Sequence, residues 1–232
     1  MPRISIITPV LNEEDMIIPF LDHLVLLQGP FELVIVDGGS SDATCARIQQ
    51  YAAPFPAPLH LLSAPAGRSG QMNTGAAAAQ GEILLFLHVD CRIPADSLLI
   101  ITHACAEKGV CGGAFIQSFG EPGLFHAVLG LLVNTCTKYL RTFFGDFGIF
   151  IQRDVFFQAG GFELIPFCED LEFCRSVRKY GRMKQVNRVI TSSPRRFRRI
   201  GRVKLTVVYM LAFVLNRAGI RPLFLRRYIV DR

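Results

Sequence analysis

Glu32-Leu-Val-Ile-Val-Asp-Gly-Gly-Ser-Ser-Asp42 is an apolar run that ends on Asp37, turns through two glycines and leads into a helical pattern. Ile83-Leu-Leu-Phe-Leu87 follows the same plan and ends on His88-Val-Asp90, and the first apolar run passes into Thr8-Pro-Val-Leu-Asn-Glu13. Strands alternating with helices in this way form βαβ units: an α/β fold with a mostly parallel central sheet flanked by helices. Ligands of open α/β sheets bind in the crevice beyond the carboxyl ends of the strands. Carboxylates stationed there can hold a metal and its phosphates, or act as a base. The pattern points to chemistry on a charged, phosphate-bearing substrate.

Working outward, strands are expected at Arg3–Thr8, Glu32–Val36, Leu59–Leu62 and Glu82–Leu87. Helices are expected at Glu13–Leu27, Asp42–Gln50, Ser69–Gln80 and Pro94–Ala106. Beyond Cys111 the pattern loosens to a strand at Gly112–Phe119, a helix at Gly123–Leu140 and a strand at Gly148–Gln152. Helices follow at Asp154–Ala159, Glu169–Tyr180 and Arg202–Arg217, with a strand near Met183–Ile190. No linker separates the halves. The expected organisation is one domain over residues 1–232: a nucleotide-binding half to about residue 91, an acceptor half over about 92–200, and a basic, apolar helix and tail over about 201–232.

Half of the 232 residues are apolar, which supplies a core and argues against disorder. The net charge of +6 is unevenly spread: Arg195–Arg232 holds eleven of the 25 Lys and Arg but only one, Asp231, of the 19 acids. Such a tail suits anionic lipid, nucleic acid or a diphosphate, or is simply a solvated basic face. The seven cysteines are odd in number and form no Cys-x-x-Cys, which fits a reducing cytoplasm better than disulfides or a zinc site. The N-terminal apolar run meets Glu13-Glu-Asp15 at once and carries no cleavage signal. No stretch reaches the roughly 20 apolar residues that span a bilayer.

Each motif has a plain reading beside its functional one. Asp37 can accept hydrogen bonds from a ribose or base, or merely close a turn, and Asp42 caps the following helix. Gly67-Arg-Ser-Gly-Gln-Met-Asn-Thr-Gly75 opens a helix with Arg68 beside its N-terminus, a setting that suits phosphate. It is not a P-loop, and no Gly-x-Gly-x-x-Gly follows a strand, which counts against kinases, ATPases and dehydrogenases. Asp90 suits Mg²⁺ or Mn²⁺, while His88 is a ligand, a phosphate donor or a satisfied neighbour. Glu169 and Asp170 open a helix, where the dipole favours acids with or without catalysis.

Taken in order, Pro9-Val-Leu-Asn-Glu13, Asp37-Gly-Gly-Ser-Ser-Asp42, Arg68 with Asn73 and Gly75, His88-Val-Asp90, Gly160-Gly-Phe162 and Glu169-Asp170 resemble glycosyltransferase family 2, over roughly Ile4 to Arg199. Gly145-Asp146 and Arg195-Arg-Phe-Arg-Arg199 further resemble a short subfamily of radical-SAM/selenodomain-associated transferases. The resemblance implies a GT-A fold, a UDP- or GDP-sugar donor, Mg²⁺ or Mn²⁺, and inversion at the anomeric carbon. Carried onto this sequence, Thr8, Pro9, Glu13 and Asp37 would surround the nucleoside, with Arg68, Asn73, His88 and Asp146 also toward the nucleotide sugar. Asp90 would hold the metal on the diphosphate. Asp170 would be the base, Glu169 would orient it or the acceptor, and Arg196 and Arg199 would steady the leaving diphosphate.

Three positions depart from the family pattern. His88 stands where the metal motif has an acid, Phe147 where Gly-Asp-Gln has its glutamine, and Phe197 where the tail has tryptophan. Two other classes fit some of these features. A sugar-phosphate nucleotidyltransferase would need a glycine-rich basic loop after the first strand, and Pro9-Val-Leu-Asn12 is not one. A binding module for nucleotide sugars or nucleic acid would fit the basic tail and the incomplete metal motif, though nucleic acid is not the expected partner. Leu205–Leu215, apolar nearly all round and flanked by Arg and Lys, is expected either to be buried, in this chain or a homodimer, or to lie on an anionic membrane surface. The latter would place a cytoplasmic enzyme at the inner face of the membrane, near a lipid-linked acceptor.

Overall fold

The computed structural model describes residues 3–120 and 123–228; the end of the basic tail, 229–232, lies outside the described residues. The first half alternates β1 (Ile4–Val10), α1 (Glu14–Leu24), β2 (Phe31–Asp37), α2 (Thr44–Ala52), β3 (Leu59–Ser63), α3 (Arg68–Ala78) and β4 (Ile83–Phe86). The second runs β5 (Cys91–Arg92), α4 (Ser97–Ala106), β6 (Val110–Ser118), α5 (Leu124–Leu140), β7 (Ile149–Gln152), α6 (Arg153–Gln158), α7 (Glu169–Ser176), β8 (Arg182–Ser192), α8 (Arg195–Ile200) and α9 (Arg202–Arg217). Short 3₁₀ turns lie at Gly145–Phe147, Val177–Lys179 and Leu223–Tyr228.

The strands form one sheet in the order β3-β2-β1-β4-β7-β6-β8-β5. From β3 to β4 the pairings are parallel. β7 runs antiparallel to both β4 and β6, β8 is parallel to β6, and β5 is antiparallel to β8. The expected α/β architecture is thus present, and the β4–β7 pairing carries one sheet through both halves.

Every residue of β2 is buried, as a parallel strand covered on both faces requires. Leu33 and Ile35 share a core with Ile17, Phe20 and Leu21 of α1, whereas Val34 and Val36 pack with Met72 and Ala76 of α3. A methyl group on Gly75 would lie 2.6 Å from Ile7 Cγ2, so this glycine lets α3 approach the sheet. That approach brings the N-terminus of α3, with Arg68, to the carboxyl ends of the strands. A third cluster gathers Phe119, Leu129, Phe197, Leu205 and Val208 beneath α5, α8 and α9.

Some boundaries differ from expectation. The helix expected from Pro94 begins at Ser97, and the one expected through Tyr180 tightens into 3₁₀ geometry after Ser176. β5 and α8 had no sequence signal: a two-residue strand shows no alternation, and four arginines around Phe197 show no apolar stripe. Residues 202–217 are helical as expected, but only one side is buried, by Leu205, Val208, Ala212 and Asn216.

Candidate active site

The carboxyl ends of β1 and β2 lie side by side, with Val10 opposite Asp37. Asp37 accepts hydrogen bonds from the Gly39 and Ser40 amides and the Ser40 hydroxyl. Burial works against its charge, but these donors keep the carboxyl below its usual range. Asn12 accepts from the Ser41 amide, and its own amide donates to Ser40 Oγ, tying the two turns together. Asp42 accepts from the Thr44 and Glu14 amides at the starts of α2 and α1, so it serves both helices. Thr8 Oγ1 and Glu13 Oε2 are buried with no hydrogen-bond partner among the described residues. Buried polar atoms are rarely left so, and a bound ligand's hydroxyl or amide groups would satisfy them.

A bridge leads from this cradle to a group of acids. Arg195, on α8, donates to Glu13 Oε1 at 2.6 Å and reaches Asp90 Oδ2 at 3.8 Å. Asp90 itself follows β4, where its carbonyl accepts from the Ser193 amide. Asp146, in the 3₁₀ turn, faces Asp90, Arg196 and Arg68. Gln117 Nε2 lies 3.3 Å from Asp146 Oδ2 and also donates to Ser192. Asp170 is the second residue of α7; it accepts from the Gly145 amide at 2.6 Å and from its neighbour Leu171 at 2.7 Å. Glu169 is buried and lies 3.6 Å from Arg68 Nη1.

Crowded acids in partly desolvated surroundings hold their protons tightly. Burial, then the charge of Asp90, pushes the Asp146 carboxyl up to about 6, even though Arg196 and Arg68 pull the other way. Burial and then Glu169 raise Asp170 to about 7. His88 is driven the opposite way: burial, Arg68 and Arg196 lower it well below its ordinary value, so it is neutral near pH 7. Its Nε2 and Asp170 Oδ2 lie 3.0 and 3.6 Å from the point where a Cβ on Gly145 would sit, so a side chain there would meet both. Arg196 hydrogen-bonds Tyr209 at 2.9 Å, and Tyr209, Asp90 and Asp146 favour its charge against the cost of burial.

Residues 5–165 match the model of glycosyl transferase family 2. The chain belongs to this family. Among curated relatives, the undecaprenyl-phosphate 4-deoxy-4-formamido-L-arabinose transferase of Yersinia pestis is 23% identical over 159 residues, 65% of this chain and 48% of the relative. The transferase of the same name from Pseudomonas fluorescens is 29% identical over 112 residues, 46% of this chain and 33% of the relative. The chain thus spans half or less of the length of these relatives. Among solved structures, the mannosyltransferase PcManGT of Pyrobaculum calidifontis, in complex with GDP-Man and Mn²⁺, superposes with a TM-score of 0.71 at 21% identity, over 90% of this chain and 64% of that one. S. aureus TarS 1–349 with UDP-GlcNAc gives 0.62 at 19% identity, over 82% and 58%. These likenesses show the GT-A fold.

Within this family 2 chain, the structure gathers Arg68, His88, Asp90, Asp146, Glu169, Asp170 and Arg196 into one electrostatic group. Thr8, Pro9, Glu13 and Asp37 stand beside it at the ends of β1 and β2. Asn73 does something else: its amide donates to the Phe162 carbonyl and accepts from the Phe162 amide, pinning the Gly160-Gly161 turn. Arg199 is exposed on α8, three residues along the same helix from Arg196. Sequence reasoning gave no role to Gln117, no partner to Arg195, and did not see Tyr209 beside Arg196. Their contacts span 29 to 182 residues in sequence except the local Arg196–Tyr209 pair, so no spacing rule finds them. One local signal exists. Asn12 (φ 52°) and Cys168 (φ 64°) hold left-handed backbone immediately before Glu13 and Glu169, and strained non-glycine residues concentrate at functional turns.

Proposed function

We propose that this family 2 chain transfers a sugar from a UDP- or GDP-sugar to an acceptor hydroxyl, with inversion at the anomeric carbon. The observation that carries this reading is Arg195, which joins the cradle at Glu13 to the acidic centre at Asp90. A nucleoside diphosphate sugar has that shape: a base and ribose, then two phosphates, then the reacting carbon. Thr8, Pro9, Glu13 and Asp37 would surround the nucleoside. Arg68 and Arg196 would lie along the phosphates and steady the diphosphate as it leaves. Arg199, exposed on the same helix as Arg196, would add to that positive charge.

The acids suit a divalent cation. The charge of Asp90 adds to the cost of ionising Asp146, which a shared cation would relieve. No set of three His, Cys, Asp or Glu among the described residues is arranged to hold an ion. Mg²⁺ and Mn²⁺ do not need one, since they bind through one or two carboxylates and take waters and substrate phosphates for the rest. Asp90, with Asp146 beside it and neutral His88 near, would hold the ion; when bound it neutralises charge building on the diphosphate.

Asp170 would take the proton from the acceptor hydroxyl. A base works best when its pKa lies near the working pH, and burial together with Glu169 moves Asp170 there. Glu169, held by Arg68, would orient the acceptor or the base. Because the curated relatives are named for undecaprenyl-phosphate, the acceptor we favour is lipid-linked. Calorimetric titration of a panel of nucleotide sugars with Mn²⁺, followed by assay of released nucleoside diphosphate, tests the reading. Tight binding of one donor with slow hydrolysis is expected. Binding with no release under any condition would favour a non-catalytic nucleotide-sugar module.

A further inference from the structure

Helix α5 turns its apolar face the wrong way for a soluble protein. Its inner side carries His126, Leu129, Gly130 and Thr137, while Leu124, Val128, Leu131, Leu132 and Tyr139 stand in solvent. The outer residues recur at the three- and four-residue spacing of one helical face. Helix α9 has a similar outer stripe: Val203, Val207, Met210, Leu211 and Val214 are exposed opposite its buried Leu205, Val208 and Ala212. Leu129 of α5 and Leu205 of α9 belong to the same small core cluster, so the two helices roof one region and both stripes face away from it. Exposed Ile220 and Phe224, after α9, add to the apolar area.

Large contiguous apolar patches on a protein surface mark an interaction site. The charges near this one indicate what covers it. Lys138 and Arg141 at the end of α5, Arg202 and Lys204 at the start of α9, Arg217 at its last position and Arg221 beyond it are all exposed. Glu163 is paired with Arg221. We propose that α5 and α9 together form a docking surface for an anionic lipid bilayer. The apolar stripes would enter the boundary between headgroups and acyl chains, and the basic rim would meet lipid phosphates. A second copy of the chain is the poorer occupant, because two such faces would set like-charged rims against each other. Among the described residues no helix is long and apolar enough to cross a membrane, so the contact lies in the plane of the surface.

The proposal needs neither donor nor acceptor, so its test is separable from the catalytic reading. The full chain is floated on a density gradient with phosphatidylglycerol-rich vesicles and, separately, with pure phosphatidylcholine vesicles, in low salt. It should rise with the anionic vesicles and far less with the neutral ones. Two variants remove apolar area without adding charge: Leu124→Ser with Leu131→Ser on α5, and Val207→Ser with Val214→Ser on α9. These side chains are in solvent, so melting temperatures should stay at the wild-type value while each pair weakens vesicle binding about tenfold. Failure of the wild type to float overturns the proposal. So does undiminished flotation of the folded α5 variant, or a stoichiometric dimer that either pair of substitutions dissolves.

Discussion

Asp37 and Asp146 stand at two ends of the same row of residues, and their surroundings treat a negative charge in opposite ways. Asp37 receives hydrogen bonds from Gly39 and Ser40, all within three residues, and its carboxyl is held below the usual range. Asp146 has Gln117 as its side-chain donor, stands near Asp90, and is pushed up to about 6. The first is a finished local structure that a ligand finds ready. The second stores repulsion that only something positive, or something that brings a cation, relieves. Binding at the first end would thus change the protein little, whereas binding at the second should change its proton count.

The strongest way to break this contrast is at Asp170, which the acidic end also raises, to about 7. Asp170→Asn keeps the shape and the acceptor for the Gly145 amide but removes the base. Transfer should fall by about 10²–10⁴ while donor affinity holds, measured as kcat and as calorimetric Kd. In the wild type, kcat should rise with pH and level off above about 7. A fall in donor affinity equal to the fall in rate would make Asp170 a binding residue. A larger loss from Glu169→Gln would exchange the two roles.

Next in size is the metal. Asp90→Ala should weaken nucleoside diphosphate binding in Mn²⁺ by at least about tenfold, and adding a chelator should then make no further difference. Equal affinities for the two proteins, with and without chelator, would remove Asp90 from the cation and leave Arg195 and Arg196 as the phosphate's partners.

The same contrast explains what could be read from the sequence. The α/β architecture, the strands ending at Asp37 and before Asp90, and the helix opening at Glu169 were legible because each depends on local periodicity and turn chemistry. The cradle was legible for the same reason, since Asp37 takes its hydrogen bonds from Gly39 and Ser40 of its own turn. The acidic end was legible only as a set of residue types. Gln117 reaches Asp146 from the end of β6, and Arg195 reaches Glu13 across 182 residues of sequence, through strands and helices that had to be placed first. Asn73 shows the converse: a residue in a suggestive motif is committed to the Phe162 backbone. The outward face of α5 was missed because its apolar spacing reads the same whichever side meets the core.

A smaller effect separates stability from binding at Asp37. Asp37→Asn replaces one acceptor oxygen with a donor facing the Gly39 and Ser40 donors, and should cost about 1–3 kcal/mol, read as a lower melting temperature at pH 7. Because the folded carboxyl lies below its ordinary 3.8, the stability it contributes is present above that value and lost as the pH falls further. The difference between mutant and wild type should therefore shrink below about pH 4.

The least of these effects has the opposite sign. Asp146 binds its proton more tightly when folded, about 6 against an ordinary 3.8, so its contribution is present below 3.8 and lost as the pH rises through about 6. Above that, the ionised carboxyl is a burden on the ligand-free protein. Asp146→Asn keeps an oxygen for Gln117 Nε2 and removes the charge. Without metal or nucleotide its melting temperature should match the wild type near pH 4 and exceed it at pH 8 by about 2–4 °C, the shift that roughly 1 kcal/mol gives in a protein of this size. Adding Mn²⁺ and nucleoside diphosphate at pH 8 should reverse the order, because binding to the folded state stabilises it and the wild type keeps both carboxylates for the cation. A mutant less stable than wild type in the ligand-free protein at pH 8 would show that Arg196 and Arg68 already neutralise Asp146, and the two ends of the site would then be alike.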